Sequence, residues 1–354
     1  MMDTLIGLVS QYSSSGRERA AVEWLVARMK DLGYHQAFTD PAGNAVGIVG
    51  SGPRQVILLG HIDTVPGKIS VRVRDGVLYG RGTVDAKGPL ACFVDSVARL
   101  GETDGWQFVV IGAVEEERDS EGARFVVDQY RPDFAIIGEP NRWDRVALGY
   151  KGTALATVTV RQKQSHTASA EQTASEAAVK IWLSVQAFAE QFNVDKSRAF
   201  DKILPTLRGL QSGQNGYEQW ARLTLGARLP MDVSPEEWYI TLNNLVGGAE
   251  VTPTGYAIPA WVCEKNTLLV RSFLSGIRAQ GGVPFFVYKT GTADLNIVAP
   301  AWQCPALVYG PGDSALDHTP NESIDMAEYQ KAVGVLESAL RDLIKRLPPG
   351  AGSS

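Results

Sequence analysis

The sequence predicts an α/β protein in which a mostly parallel sheet is flanked by helices and a smaller α+β domain is inserted. Continuous apolar runs of strand length predict the main sheet, because such runs are typical of strands buried on both faces. These runs lie at 56–60, 108–114, 134–138, 285–288 and 306–310. Helical patterns separate several of them, as in other α/β folds. Residues 153–257 predict the insert, because some of their segments alternate apolar and polar residues and others have helical spacing.

The helices of the main domain are predicted from apolar spacing and from residues that begin helices. Apolar side chains recur at helical spacing from Val22 to Leu32, after the segment SSSG, whose hydroxyls can cap a helix. Residues 90–100 and 122–130 have the composition of crossover helices between parallel strands. Residues 326–347 predict a long amphipathic helix at the end of the chain.

Residues 153–257 predict a separate α+β domain. Two segments alternate apolar and polar residues, as half-exposed antiparallel strands do, and two others have helical spacing. These strands and helices are predicted at 154–162, 176–192, 221–229 and 234–246. An insert of about 105 residues has the size of a small domain. The main domain would then consist of residues 1–152 and 258–354.

The composition excludes several classes of protein. The net charge of −5 and a pI near 5.5 argue against a nucleic-acid-binding protein, which usually has a basic face. Three widely separated cysteines, Cys92, Cys263 and Cys304, indicate reduced thiols rather than a disulfide framework. We recognise no secretory signal, and no apolar run approaches the ~20 residues needed to span a membrane. The sequence therefore predicts a cytoplasmic protein that binds neither nucleic acid nor membrane.

Histidine and carboxylate side chains follow the predicted strands. In open α/β sheets, ligands bind beyond the carboxyl ends of the strands, so these side chains are expected to converge on one edge. They are His61 and Asp63 after the first run, Glu115, Glu116 and Glu117 after the second, Glu139 after the third, and Asp317 and His318 after the last, together with Asp85 before a predicted helix.

Taken singly, each of these residues has an ordinary structural explanation, such as a helix N-cap for Asp85. Together, several acids at one sheet edge would repel one another unless a cation held them. Two histidines and three carboxylates supply ligands for two divalent ions that share one bridging carboxylate. This set of nitrogen and oxygen donors suits zinc or a similar metal. The segment GRGTVDAKG, in contrast, lacks the spacing of a phosphate-binding loop.

Four motifs of the chain resemble those of a known enzyme family. They are G-H-x-D-T-V-P, G-R-G-x-x-D-x-K-G, E-E-x(4)-G and G-E-P, in this order. The set is similar to the two-zinc aminoacylase/carboxypeptidase family, which includes the ArgE and DapE deacylases and the LysK hydrolases. The resemblance covers nearly the whole chain. It implies a catalytic domain formed by residues 1–152 and 258–354, and a lid or dimerisation domain formed by 153–257.

The resemblance also implies a role for each residue at the strand ends. Two zinc ions, with cobalt as an alternative, would be held by His61, Asp85, Glu117, Glu139 and His318. Asp85 would bridge the two ions. Asp63 would accept the other imidazole N–H of His61 and fix its orientation. Glu116 would be the general base of the reaction, and Glu115 stands where the family usually has aspartate.

Within the insert, the segment KGTALATVTVRQKQSHTAS resembles the region where dimeric members carry a histidine that reaches the partner's active site. His166 would there stabilise the tetrahedral oxyanion; the alternative is a surface histidine. Asn215 and Arg228 match the spacing of substrate-binding residues, although GYE replaces the usual V-I-P after Asn215. Arg228 or Arg271 could bind a substrate carboxylate or form a structural ion pair.

Among the members of the family, the chain looks most like the LysK hydrolases, on the segments VEEE, KTGTADLN and DHTPNE. These enzymes release lysine or ornithine from the C-terminal glutamate of a small acidic carrier protein, LysW, in lysine and arginine biosynthesis. The resemblance thus implies a homodimeric hydrolase of linear amides with LysW as substrate carrier. The alternatives are an N-acetylornithine or N-acetyl-lysine deacetylase, a small-peptide aminoacylase or dipeptidase, and a metal-dead binding protein of the same fold.

An acidic carrier requires a basic face on a chain whose own net charge is negative, since global repulsion would otherwise slow the encounter. The candidates for such a face are Arg145, Lys151, Arg161, Lys163, Arg198, Lys202, Arg208 and Arg222.

Overall fold

The computed structural model describes residues 2–164, 166 and 171–348. The chain folds as two compact units. They comprise Met1–Leu148, Cys263–Val287 and Ala293–Ser354 for the first unit, and Gly149–Val262 and Tyr288–Thr292 for the second. The predicted insert, 153–257, lies within the second unit. Tyr288–Thr292 also belongs to the second unit. This assignment depends on tertiary contacts, which the periodicity of the sequence does not reveal.

The helices of the described residues are α1 (Asp3–Ser10), α2 (Arg19–Asp31), α3 (Lys87–Leu100), α4 (Glu121–Gln129), α5 (Ala174–Asn193), α6 (Pro235–Leu245), α7 (Leu268–Ala279), α8 (Leu295–Trp302) and α9 (Met326–Arg346). Among them, none is both long enough and apolar enough to cross a membrane. The strands are β1 (Gln36–Thr39), β2 (Ala45–Gly50), β3 (Arg54–His61), β4 (Arg72–Arg74), β5 (Val77–Tyr79), β6 (Trp106–Ala113), β7 (Phe134–Gly138), β8 (Arg145–Tyr150), β9 (Gly152–Lys163), β10 (Leu204–Gln214), β11 (Glu218–Leu229), β12 (Glu250–Ile258), β13 (Trp261–Val262), β14 (Phe285–Lys289), β15 (Ala306–Val308) and β16 (Ser323–Asp325).

Within the first unit, the main sheet runs in the order β1-β2-β6-β3-β7-β15-β8. The central strands β6, β3, β7 and β15 pair in parallel, whereas the outer pairs are antiparallel. Residues 56–59 of β3 are completely buried, as expected for a strand covered on both faces. The predicted α/β class, with a mostly parallel central sheet, is confirmed.

The segment SSSG has a different role from the predicted helix cap. Helix α2 begins at Arg19 with Glu18 as its N-cap, and no side chain caps it. Instead, Ser13 Oγ donates a hydrogen bond to the carbonyl of Ile62, and Ser15 Oγ donates one to Asp63 Oδ2, both at 2.7 Å. The prediction of capping hydroxyls is therefore wrong, because a β-bridge places this segment against the end of β3.

The second unit contains an antiparallel sheet of order β10-β11-β9-β12. Alternate residues of β9 and β11 form its apolar core with α5 and α6, and both helices begin with a capping box. Strands β10 and β12 were not predicted. They contain Pro205 and Pro253, which interrupt the strand pattern, but both strands lie at sheet edges, where proline is tolerated.

Candidate metal centre

The parallel strands bring three polar segments to one edge of the main sheet. Strand β3 lies between β6 and β7, and His61, its last residue, is in register with Ala113 of β6. Residues 115–117 come soon after β6, and Glu139 comes directly after β7. Because these strands are parallel, their carboxyl ends meet at the same edge.

Four of the predicted ligands are in direct contact. A nitrogen of His61 and carboxylate oxygens of Asp85 and Glu117 all lie within 4.8 Å of one another. Asp85 Oδ1 is 3.1 Å from His61 Nε2, and Asp85 Oδ2 is 2.9 Å from His318 Nε2. His318 Nε2 is also 2.9 Å from Glu117 Oε1. Asp85 thus presents one oxygen to each imidazole, an arrangement suited to a bridging carboxylate.

Asp63 orients both His61 and the glutamate segment. It is completely buried, and its Oδ1 lies 3.3 Å from His61 Nδ1, so that Nε2 is the ring nitrogen that faces Asp85. Its two carboxylate oxygens also accept the backbone N–H groups of Glu116 and Glu117, each at 3.1 Å. Burial favours the neutral acid, but the hydrogen bonds from His61 and Ser15 outweigh it and lower the pKa of Asp63.

Buried acids surround this cluster. Burial raises the pKa values of Glu116 and Glu139 well above the ordinary value of a glutamate. The charge of Asp294 raises both pKa values further. Burial also raises the pKa of Asp294, which is 2% exposed, to about 7. Acids that are forced together in this way favour a cation between them.

The two imidazoles respond to the same excess of negative charge. Burial opposes protonation of His61, but hydrogen bonds to Asp63 and Asp85 raise its pKa well above the ordinary value. Hydrogen bonds to Asp85 and Glu117 raise the pKa of His318 to about 10. The cluster therefore attracts positive charge.

The donor set fits a metal ion such as zinc. Two imidazole nitrogens and several carboxylate oxygens are the ligands that zinc and similar metals use in proteins. His318 and Glu115 also have positive φ angles of 60°, a conformation that residues other than glycine seldom adopt and that is often found at functional sites. We conclude that the residues present can hold a metal.

The model of peptidase family M20/M25/M40 matches residues 57–342. The chain belongs to this family. Among similar curated proteins, a "[LysW]-lysine hydrolase" from Deinococcus radiodurans is 46% identical over 95% of both chains. A "putative [LysW]-lysine/[LysW]-ornithine hydrolase" from Thermococcus kodakarensis is 37% identical and covers 95% of this chain and 90% of its own.

Solved structures of the M20 family share the fold. A metallo-carboxypeptidase from Sulfolobus solfataricus superposes with a TM-score of 0.77 at 16% identity, covering 97% of this chain and 98% of that one. A dinuclear metal-binding peptidase, YXEP from Bacillus subtilis, gives a TM-score of 0.71 at 12% identity, covering 97% of both chains. This chain is therefore a hydrolase of a metal-dependent family, and its His61 cluster could bind a metal ion.

Two other predicted site residues of this M20 hydrolase, His166 and Asn215, belong to the second unit. His166 follows β9 and is exposed. Asn215 occupies the turn between β10 and β11, where its Oδ1 accepts the N–H groups of Tyr217 and Glu218.

The two arginines are hydrogen-bonded within their own units. Arg228 Nη1 donates to Thr292 Oγ1 at 2.7 Å in the second unit, and Arg271 Nη2 donates to Asn266 Oδ1 at 2.6 Å in the first. A role in substrate binding stays a prediction for both and for Asn215, and the stabilisation of the oxyanion by His166 also stays a prediction.

The sequence does not predict the contacts of three residues near the site. The sequence predicts Ser15 in a helix cap, and it predicts no role for Asp294 or Glu322, which lie in the segments KTGTADLN and DHTPNE. A single acid within a short segment of small or apolar residues, as in TADLN, is the signal that could have pointed to Asp294. Glu322 follows His318 by four residues, and only tertiary structure reveals its contacts.

Proposed function

We propose that this chain releases lysine or ornithine from LysW by hydrolysing the amide that links the amino acid to the carrier's C-terminal glutamate. The observation that carries the proposal is the similarity, over nearly the full length of both chains, to the Deinococcus enzyme named for this reaction. We place the reaction in the cytoplasm, because Cys92, Cys263 and Cys304 are free thiols and reduced cysteines are typical of that compartment.

The proposed centre contains two zinc ions, or two cobalt ions, per chain. Its ligands would be His61, Asp85, Glu117, Glu139 and His318, with Asp85 shared between the ions. The two-sided contact of Asp85 with both imidazoles supports this assignment. When bound, the ions polarise the amide carbonyl and lower the pKa of the attacking water.

Glu116 would move the proton of the reaction. It would accept a proton from the attacking water and return it to the leaving amine, so that one water and one amide give a carboxylic acid and a free amine, which then ionise to a carboxylate and an ammonium group. Burial raises the pKa of Glu116, and the charges of Glu139 and Asp294 raise it further. The hydrogen bond from the Glu116 backbone to Asp63 keeps this residue beside His61.

A basic surface on the second unit fits an acidic carrier. The helices α5 and α6 cover one face of the four-stranded sheet, and alternate residues of β9 and β11 point to the other face. Among the described residues of this open face, cations outnumber acids. It carries Arg161, Lys163, Arg208, Arg222 and Arg228 together with Glu218 and Glu250. This clustering supports the prediction of a basic face.

Lys151 does not belong to that face. Its side chain is completely buried, and its ammonium group donates to the backbone carbonyls of Phe200, at 2.9 Å, and of Lys202. The prediction of a steering role for Lys151 is therefore wrong, because a charge enclosed by carbonyl groups is hidden from a partner.

The salt dependence of kcat/KM should distinguish a carrier-linked substrate from a small one. We expect kcat/KM on LysW-linked lysine to fall steeply with added salt, because exposed charges are screened beyond about 8 Å at physiological ionic strength. The value for N-acetyl-lysine should stay nearly constant, since that small substrate needs no steering. The measurement is steady-state kinetics on both substrates, and on their ornithine counterparts, from low to high ionic strength.

Charge reversal supplies the control. Lys163→Glu and Arg161→Glu change exposed residues of the open sheet face and should lower kcat/KM for the carrier-linked substrate alone. An equal salt response on both substrates, or faster turnover of the acetylated one, would disprove the carrier proposal and favour the deacetylase.

A homodimer formed through the second unit is also proposed. Val179 and Leu183, four residues apart on α5, and Ile240 on α6 are 48%, 55% and 58% exposed. Apolar side chains grouped on neighbouring helices are typical of an interface. A second copy of the chain could bury them.

If His166 acts in the partner's active site, His166→Ala should lower turnover without changing metal content. Mixing His166→Ala subunits with Glu116→Gln subunits should then restore activity, because a hybrid dimer contains one site in which both residues are intact. The measurement is the activity of the mixture after subunit exchange has been verified by mass spectrometry. Absence of recovery would indicate a surface histidine or a monomeric enzyme.

A further inference from the structure

Glu322 is a buried carboxylate that connects two loops of the proposed metal centre. It is 0% exposed and lies between His318 and β16. Ser323 of β16 pairs with Tyr79 of β5, and the backbone carbonyl of Glu322 accepts the N–H of Gly80 at 3.3 Å. This pairing directs the segment that follows His318 against the loop 80–86, which carries Asp85.

The side chain of Glu322 accepts hydrogen bonds from the backbone of that loop. Its Oε1 accepts three N–H groups, from Gly82 and Val84 at 2.9 Å and from Asp85 at 3.1 Å. Three donors converging on one oxygen restrict the path of the loop, because each is a charge-assisted hydrogen bond with its own directional requirement. Gly82, with φ of 88°, provides the left-handed turn that brings these donors together.

Cations balance the charge of Glu322. Arg81 Nη1 donates to Glu322 Oε2 at 2.8 Å. Burial lowers the pKa of Lys87 to about 7, and the charge of Glu322 opposes this shift. Arg81 is itself fixed by a second hydrogen bond, from Nε to the carbonyl of Gly67 at 3.0 Å. A buried ion pair of this kind contributes little net stability compared with apolar packing, so a role in specifying one geometry accounts better for it.

We propose that Glu322 is a positioning residue of the metal centre, which fixes Asp85 relative to His318. These two residues come from loops that are far apart in sequence, yet Asp85 Oδ2 lies 2.9 Å from His318 Nε2. Glu322 is bonded to the backbone of the first loop and is only four residues from His318 in the second. The inference rests on the proposed function, since it assumes that Asp85 and His318 are metal ligands.

The test compares Glu322→Gln with Asp95→Asn. Asp95 is a matched control in the same unit, because it is also buried and accepts hydrogen bonds from two side chains, Thr4 Oγ1 at 2.5 Å and Tyr329 Oη at 2.8 Å. Each variant replaces a buried carboxylate with an amide. Metal-free protein is titrated with Co²⁺, and the visible absorption of bound cobalt reports on ligand geometry. Thermal unfolding of the metal-free protein reports on stability.

We expect Glu322→Gln to weaken Co²⁺ binding by about 10–100-fold, the effect typical of residues that orient metal ligands, and to change the cobalt spectrum. Asp95→Asn should lower the unfolding temperature and leave both cobalt readouts unchanged. A folded Glu322→Gln protein with wild-type cobalt affinity and spectrum would overturn the inference. If Glu322→Gln does not fold, Arg81→Lys, which retains the charge but has one donor nitrogen in place of the separate Nε and Nη1 donors, should still weaken cobalt binding, and wild-type affinity of that variant would overturn the inference.

The same titration separates this inference from the proposed function. If the wild-type protein binds no Co²⁺, the dinuclear centre itself is disproved and the inference with it. If the wild-type protein binds cobalt and hydrolyses LysW-linked lysine while Glu322→Gln behaves identically, only the inference about Glu322 fails.

Discussion

Replacing Glu116 with glutamine should lower kcat by at least about 10²–10⁴-fold, the range typical of general acid–base groups. The loss should be large because the same carboxylate both accepts the proton of the water and delivers it to the leaving amine. Fold and metal content should persist, since the backbone N–H of Glu116, rather than its side chain, is bonded to Asp63. The measurements are kcat on LysW-linked lysine and metal content by mass spectrometry.

Glu117→Gln is the matched control for this experiment. Glu117 Oε1 lies 2.9 Å from His318 Nε2, and the residue belongs to the cluster with His61 and Asp85. Its replacement should therefore reduce metal content. If Glu117→Gln keeps its metal and loses activity while Glu116→Gln loses metal, the roles of the two residues must be exchanged.

Removal of metal by a chelator should abolish activity, and addition of zinc or cobalt should restore it. The proposed reaction depends on cations that balance the carboxylates at the sheet edge and polarise the substrate. We expect two ions per fully loaded chain. Inductively coupled plasma mass spectrometry gives the stoichiometry, and assays before and after reconstitution give the activity.

Circular dichroism provides the control for chelation, because it shows whether the metal-free protein remains folded. Added metal should raise the unfolding temperature, since an ion that binds only the folded state stabilises it. A fully active protein without bound metal would disprove the hydrolase mechanism in this form.

Several features of the site were predictable from sequence because they depend on local patterns. The apolar run before His61 identifies β3, and similar runs precede Glu116 and Glu139. The carboxyl ends of neighbouring parallel strands meet at one edge. Strand ends alone therefore indicated which side chains would converge, and the family motifs indicated which chemistry to expect.

Other features depend on contacts between residues that are distant in sequence. The strand pattern is interrupted in β10 and β12 by Pro205 and Pro253, and their assignment as strands depends on their position at the edges of a sheet. Ser15 has a hydroxyl group that could cap a helix. Its hydrogen bond to Asp63 forms because the segment SSSG lies against the end of β3.

The sequence by itself determined the α/β class, the membership in the M20/M25/M40 family and the set of candidate ligands, because periodicity and motif spacing are local properties of the chain. Only the tertiary structure decided how those ligands are supported. Asp63 holds the backbone of Glu116 and Glu117, and Glu322 holds the backbone of Asp85. Any carboxylate can accept these bonds, so residue type does not reveal them. They arise when folding brings a buried acid within about 3 Å of a distant backbone N–H.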